Sequence, residues 1–326
     1  MKNRKKYILL FVSVIASQFF TSCDDDSIDT DNSPIPYEAI GGYANSDEIA
    51  SGNLVAKLSF EDALSDNKNN ITGFVSNNIG YATGVKGNAY NGSSTEARYA
   101  VADATSAITS LNNYTIAFWI NTANTVDPAT PGQGKGAQGI FTIVRPLEFW
   151  GGMNLFLENP DGAFPNRIRL KLGVENGRAG VAWRGQSVIM NIDNSLNTWI
   201  HVAFTYDSVS SLVTGYINGQ LATNLSGFAY APANGVVGSA PWFADNPGGI
   251  DNPNNAPKYG VFEMVGTNGK VVFGSHQFET TPSQNNGSQQ DWATSFVGLM
   301  DEFRIYNAAL STNDVRALYL LEKDNR

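Results

Sequence analysis

The stretch Arg167-Ile168-Arg169-Leu170-Lys171-Leu172-Gly173-Val174 decides the fold class. Every second residue in it is apolar, and the residues between are basic or glycine. Side chains of a strand point alternately to opposite faces, so this pattern describes a strand with one face in a core and the other in water. The same period recurs elsewhere. Leu54, Ala56, Leu58 and Phe60 form one face of an early strand, Ile116, Phe118 and Ile120 a second, and Ile200, Val202, Phe204 and Tyr206 a third. Residues 212–217 run into Asn218-Gly219, a pair that accepts the positive φ of a two-residue hairpin turn. Val297, Leu299, Phe303 and Ile305 share parity near the end. Only residues 308–322 carry a helical pattern, with Ser311 and Asp314 spaced as a capping box. Short strands joined by Gly, Asn and Asp turns predict an all-β sandwich or barrel rather than βαβ units.

Composition agrees with a folded, acidic body. Hydrophobic residues make up 42% of the 326 positions and charged residues 16%, so a large core is affordable and an unstructured chain is excluded. The formal charge of −9 argues against a nucleic-acid partner held through its phosphates. A single cysteine rules out an internal disulfide framework and a multi-cysteine zinc site.

That cysteine, Cys23, closes a leader. Lys2, Arg4, Lys5 and Lys6 precede an apolar stretch at 7–20, which is too short for a membrane span and fits a signal h-region. Phe20-Thr21-Ser22-Cys23 resembles a bacterial lipobox, in which the cysteine is lipidated and becomes the first residue of the mature protein. Without the leader, 17 basic residues face 30 acidic ones, a net charge of −13. The run Asp24-Asp25-Asp26-Ser27-Ile28-Asp29-Thr30-Asp31 lacks the glycine and distal glutamate of an EF-hand and reads as a solvated linker. It also resembles the acidic export signal of surface-displayed lipoproteins of Bacteroidetes. The expected organisation is a signal peptide at 1–22, an acidic flexible tether at 23–50 and one β-domain at 51–326. The expected location is the outer membrane, facing the cell exterior, with contact to the membrane through the lipid alone.

The order of motifs is similar to that of a known family. Leu54-Val55-Ala56-Lys57-Leu58-Ser59-Phe60-Glu61-Asp62 and Tyr114-Thr115-Ile116-Ala117-Phe118-Trp119-Ile120 resemble the opening strands of laminin-G-like domains of the concanavalin A-like lectin/glucanase superfamily. Trp199-Ile200-His201-Val202-Ala203-Phe204-Thr205-Tyr206-Asp207 with Gly215-Tyr216-Ile217-Asn218-Gly219 resembles the central hairpin. Phe273-Gly274 and the run from Gly298 through Asp301 and Tyr306 to Ser311 resemble the closing strand and helix. The resemblance implies a jelly-roll sandwich of two antiparallel sheets followed by a short C-terminal helix. It does not fix a function, because sites are grafted onto folds.

Catalytic motifs are absent from the sequence. Paired carboxylates of retaining glycosidases must lie about 5–5.5 Å apart on one face. The only glutamate with an acid two residues later is Glu322, with Asp324, and no third acid accompanies them. No G-x-S-x-G elbow, H-E-x-x-H helix or Walker loop occurs. His201, beside Trp199, reads as structural, and His276 has no motif around it. No catalytic residue is therefore assigned. Convergence of carboxylates from separate strands keeps an atypical glycoside hydrolase or lyase open as a third reading.

Two kinds of site remain. Parity along the last strand turns Asp301 inward, and Asp62 shares parity with Leu58 and Phe60, with Glu61 adjoining. A buried carboxylate must be hydrogen-bonded, protonated or bound to a cation. The resemblance implies a structural Ca²⁺ held by Asp301, Asp62 and Glu61, against backbone N–H bonding of Asp301 without metal. Aromatic faces, in turn, stack on sugars. Trp242 and Tyr259 in the long 225–260 loop, with Trp150, Trp183 and Trp292, are the expected carbohydrate contacts, whereas Trp119 and Trp199 read as structural. The leading function is thus a non-catalytic, surface glycan-binding lipoprotein working with outer-membrane transporter components in polysaccharide uptake. The alternative is an adhesion or structural surface protein that binds a protein partner.

Overall fold

The computed structural model describes residues 38–124, 136–178, 185–223, 225–226, 238–242 and 257–326. The leader, Cys23, Trp183 and the 251–255 run lie outside the described residues.

Among the described residues, nine strands form the first sheet: β1 (Leu54–Leu58), β3 (Gly80–Thr83), β4 (Asn88–Asn91), β6 (Tyr114–Asn121), β11 (Ile200–Asp207), β12 (Leu212–Ile217), β13 (Gln220–Leu221), β15 (Ser239–Pro241) and β18 (Leu299–Tyr306). Its order is β13-β12-β11-β6-β18-β4-β3, with β1 also on β18 and β15 also on β12. The second sheet holds β2 (Ile71–Asn77), β5 (Tyr99–Ala104), β7 (Ala137–Ile143), β8 (Met153–Leu157), β9 (Arg167–Glu175), β10 (Gly185–Asp193), β14 (Leu225–Ser226), β16 (Lys270–Phe273) and β17 (Ala293–Ser295). Its order is β14-β10-β9-β8-β7-β16-β5-β2, and β17 joins β7 as the single parallel pair among the described residues.

The alternation of β9 does what its sequence requires. Ile168, Leu170, Leu172 and Val174 enter the core between the sheets, together with Phe118, Phe204 and Phe303. Arg167 and Lys171 stay on the outer face, paired with Asp193 at 2.6 Å and Glu158 at 2.7 Å. The β12–β13 hairpin turns on Asn218 and Gly219 at φ 49° and 71°, the left-handed pair a tight hairpin demands.

Parity fails at two of the strands read from the sequence. In β18, Met300 lies opposite Ile120 and Ile305 opposite Ile116, with the register shifting between Asp301 and Arg304. The bulge, with Glu302 at φ 46°, reverses the faces. Met300 therefore joins Phe303 and Ile305 in the core, while Asp301 lies opposite Trp119 on the outer face. The inward placement expected for Asp301 is corrected accordingly. A similar shift between Leu54 and Ala56 sends Leu54 to the outer side.

That outer side is covered. Besides the short α1 (Ser106–Thr109), the chain forms α2 (Thr312–Lys323), capped by Ser311, whose Oγ accepts from Asp314 N at 3.2 Å. Val315, Leu318 and Leu321 of α2 pack with Ala117, Ala203, Tyr216 and Tyr306 of the first sheet and with Ile49. Ile49 is fully buried, and the compact unit runs from Ala39 to Arg326. The folded body thus begins about a dozen residues before the expected boundary at 51, because Ile49 and Asp47 find partners on the sheet.

Candidate functional site

Beyond β16, Gly274 turns the chain at φ 75°, and residues 275–276 pass against the outer face of the second sheet. Gly139 of β7 permits this, since a Cβ there would sit 2.2 Å from His276 N. Gln277 then clamps the 145–149 loop: its Oε1 accepts from Arg145 N at 2.9 Å, and its Nε2 donates to the carbonyls of Glu148 and Phe149 at 2.8 and 2.9 Å. Asn285 Nδ2 donates to the same two carbonyls at 3.0 and 3.1 Å.

The clamp assembles an aromatic patch. Phe149 lies 5.1 Å from Trp150 and 6.3 Å from Trp292, and the two tryptophans are 6.0 Å apart. Beneath them, Trp150 stacks on Phe156 at 5.6 Å, Phe149 on Phe278 at 4.4 Å, and His276 on Phe278 at 4.9 Å. Trp150 and Trp292 are half-buried and Phe149 is 37% exposed, so their rings form an open apolar surface on a fixed base. Sequence reading named Trp150 and Trp292 one by one. It missed Phe149 as a partner, and Phe278 and His276 as their support, because the 274–292 segment carries no period to mark its packing.

The two residues expected to lead the carbohydrate site are elsewhere. Trp242 and Tyr259 are both fully buried, and Trp242 stacks on Tyr206 at 5.3 Å and meets Tyr259 edge-on at 5.7 Å. They cannot offer a ring face to a sugar, and their assignment as stacking residues is withdrawn. Their place in the core follows from β15, which pairs with β12 and carries Trp242 in just behind it.

Of the two readings weighed for Asp301, the backbone N–H bonding is present in the structure. Asp301 Oδ2 accepts from Val85 N at 2.8 Å and Lys86 N at 3.0 Å, and its Oδ1 from Glu302 N at 2.8 Å. Glu61 Oε2 accepts from Asn88 N at 3.0 Å, and Asp62 is exposed at φ 54°. Backbone N–H groups thus face the carboxylates of Asp301 and Glu61. Among the described residues, no three His, Cys, Asp or Glu side chains group closely enough to hold a metal.

A further polar cluster sits beneath α2. Arg304 is fully buried, and its Nε donates to Glu322 Oε1, its Nη1 to Asp47 Oδ1 and its Nη2 to Glu302 Oε2, at 2.7, 2.7 and 2.8 Å. Glu322 Oε2 also accepts from Trp119 Nε1 at 2.8 Å and lies 3.7 Å from His201 Nε2. Burial pushes Glu322 up to about 7 despite the guanidinium beside it, and pushes Asp301 up to about 7 as well. Burial pushes His201 down to about 3 and His276 down to about 4, so both imidazoles are neutral at pH 7.

These shifts act on stability with opposite signs. The histidines contribute most above their ordinary value of 6.5, and that contribution is lost as pH falls toward 4. The raised carboxylates contribute most at low pH, and theirs is lost as pH rises toward 7. A His276→Phe variant removes one member of the first set. Its stability relative to wild type should improve as pH falls from 6.5 toward 4, by up to about 1.4 kcal/mol per pH unit. Urea unfolding across that range checks this, and a pH-independent difference would refute the buried neutral imidazole.

No curated protein matches the chain. Among solved structures, the binding domain of Paraclostridial Mosquitocidal Protein 1 is 19% identical at a TM-score of 0.48, over 82% of this chain and 52% of that one. Domain 4 of AbnA, an extracellular arabinanase from Geobacillus stearothermophilus in complex with arabinotriose, is 22% identical at 0.44, over 82% and 98%. The botulinum neurotoxin serotype D binding domain is 14% identical at 0.47, over 85% and 52%. The match thus spans about half the length of the first and third of these structures. Residues 93–254 match the laminin G-type family model of the concanavalin A-like lectin/glucanases superfamily, and over that stretch the two-sheet sandwich is similar to that family.

Proposed function

We propose that this chain is a non-catalytic glycan-binding protein, held at the outer surface of the cell by a lipidated Cys23, and that Phe149, Trp150 and Trp292 form its stacking face. The observation that carries the reading is the patch itself: three large rings within 6.3 Å of one another, partly open to solvent and clamped from behind by Gln277 and Asn285. A rigid aromatic surface loses little entropy when it meets the apolar face of a sugar ring. The −13 charge of the chain without its leader favours neutral glycans over polyanionic ones. With the lipid as its membrane contact, the protein would hand its ligand to outer-membrane transporter components.

Titration of wild type and Trp150→Ala against a panel of neutral polysaccharides is the test. Truncating the ring should weaken binding by about 1–3 kcal/mol, or roughly five- to 150-fold. Equal binding by the variant removes the patch from the site. A second reading, adhesion to a protein partner, is favoured by Leu147, which is 79% exposed beside Phe149. It takes precedence when no glycan on the panel binds. For the anchor, Cys23→Ser should abolish incorporation of labelled palmitate and release the protein from the membrane fraction.

A further inference from the structure

At one rim of the first sheet, the ends of β4, β6 and β18 enclose an open cavity of about 430 Å³. Asn91 closes β4, Asn121 closes β6, and Asn197 approaches from the turn before β11. Among the described residues, no hydrogen bond engages any of these three side-chain amides, nor the Ser94 hydroxyl beside them. The walls that carry them are tied together. Gly92 N donates to Gly298 O at 2.8 Å, Asn197 N to Thr122 O at 2.9 Å, and Thr122 Oγ1 to Val297 O at 2.8 Å. Gly92 could carry no side chain here, since a Cβ would meet Phe296 O at 2.1 Å.

The cavity also contains one cation, Arg98, but its charge is already answered. Nε and Nη2 donate to Glu96 Oε1 at 3.0 and 2.8 Å, and Nη1 donates to Asn91 O at 2.9 Å. The site therefore offers uncharged donors and acceptors on a preformed frame, beside the apolar flanks of Val297 and Leu299. Each amide presents N–H donors and a carbonyl acceptor, the pair that adjacent hydroxyls on a ring require. The volume falls in the range of small-ligand pockets, about 300–1,000 Å³.

We infer that this rim cavity is a second binding site, which takes a single neutral sugar unit through Asn91, Asn121 and Asn197. The ligand class rests on the glycan reading, whereas the site is separate from the aromatic patch and stands on its own geometry. The chain between them is short: Trp292 belongs to the patch, and Val297 to Leu299 to the cavity wall.

The test follows the side-chain amide resonances of these three asparagines by NMR during titration with glucose, galactose, arabinose and xylose. At least one sugar should move them saturably, in wild type and in Trp150→Ala/Trp292→Ala alike. Asn121→Ala/Asn197→Ala should weaken that response by about tenfold or more for each amide lost. The isosteric Asn121→Asp/Asn197→Asp repeats the measurement should the alanine pair fail to fold. No saturable shift with any of the four sugars, or a response unchanged in the paired variants, overturns the inference. Should glycans bind the patch while the amides stay still, the inference falls and the stacking reading stands. Should the amides titrate while the patch binds nothing, the reverse holds.

Discussion

Replacing Arg304 by methionine is expected to cost the fold about 3–5 kcal/mol, the penalty for leaving buried carboxylates without their cation. The guanidinium ties three elements together. It donates from β18 to Glu322 of α2, to Asp47 and Ser46 of the N-terminal turn, and to Glu302 of its own strand. Glu302 and Glu322 are 1% and 0% exposed, so water cannot replace the lost partner. Lys57, 3.4 Å from Glu302 and 2.7 Å from Asp47, would remain as the single cation facing three acids. Glu322, already pushed up by burial, would then hold its proton to higher pH. The deficit should therefore grow as pH rises from about 5 to 8, because only the unfolded chain ionises that carboxyl freely across the range. Chemical denaturation of Arg304→Met at both ends of the range measures this. The double variant Arg304→Met/Glu322→Gln should recover part of the loss, since a neutral pair carries no unanswered charge. A single variant within about 1 kcal/mol of wild type at both pH values would mean that the cluster does not hold α2 to the sheet.

Neither this cluster nor the bulge that builds it could be read from the sequence, and the reason is physical. Alternation along β9 is local, so Ile168 to Val174 declared their face, and Asn218-Gly219 and Ser311 declared their turn and cap. The extra residue in β18 is different. It is set by how that strand pairs with β6 and β1, which lie far away along the chain. A single unpaired residue reverses the side chains beyond it, and so alternation alone puts Asp301 on the wrong face. Residues 39–50 read as tether because they follow the acidic run and Pro34 and Pro36 and carry no strand period, although one isoleucine and one aspartate suffice to dock them. The aromatic patch was half legible. Trp150 and Trp292 stand out singly, but they join each other only because Gly139 and Gly274 let the segment cross the sheet.

Trp242→Ala should destabilise the protein by about 3–5 kcal/mol, as large-to-small changes of a core aromatic do, and should not act as the loss of a sugar contact. Trp242 is the largest fully buried side chain of the structure as described, and it lies in a run of packed rings. Tyr114 stacks on Tyr206 at 5.5 Å, Tyr206 stacks on Trp242 at 5.3 Å, and Phe262 and Tyr259 meet the two ends edge-on. The backbone locks the run in place: Trp242 N donates to Ser211 O at 2.9 Å, and Tyr259 N donates to Trp242 O at 3.0 Å. The polar ends are tied as well, with Tyr206 Oη donating to Gly260 O and Tyr259 Oη accepting from Asn176 N. Deleting the indole leaves a cavity that these anchored neighbours cannot close, which places the loss at the upper part of the range. Trp242→Phe separates packing from polarity. The indole Nε1 has no partner among the described residues, so phenylalanine keeps the stack, gives up an unanswered donor, and should cost less than about 1.5 kcal/mol. Thermal unfolding of both variants, with glycan titration at a temperature where each is folded, completes the comparison. Unchanged stability with abolished binding in Trp242→Ala would return the tryptophan to the surface; reduced stability with intact binding keeps it in the core and leaves recognition to Phe149, Trp150 and Trp292.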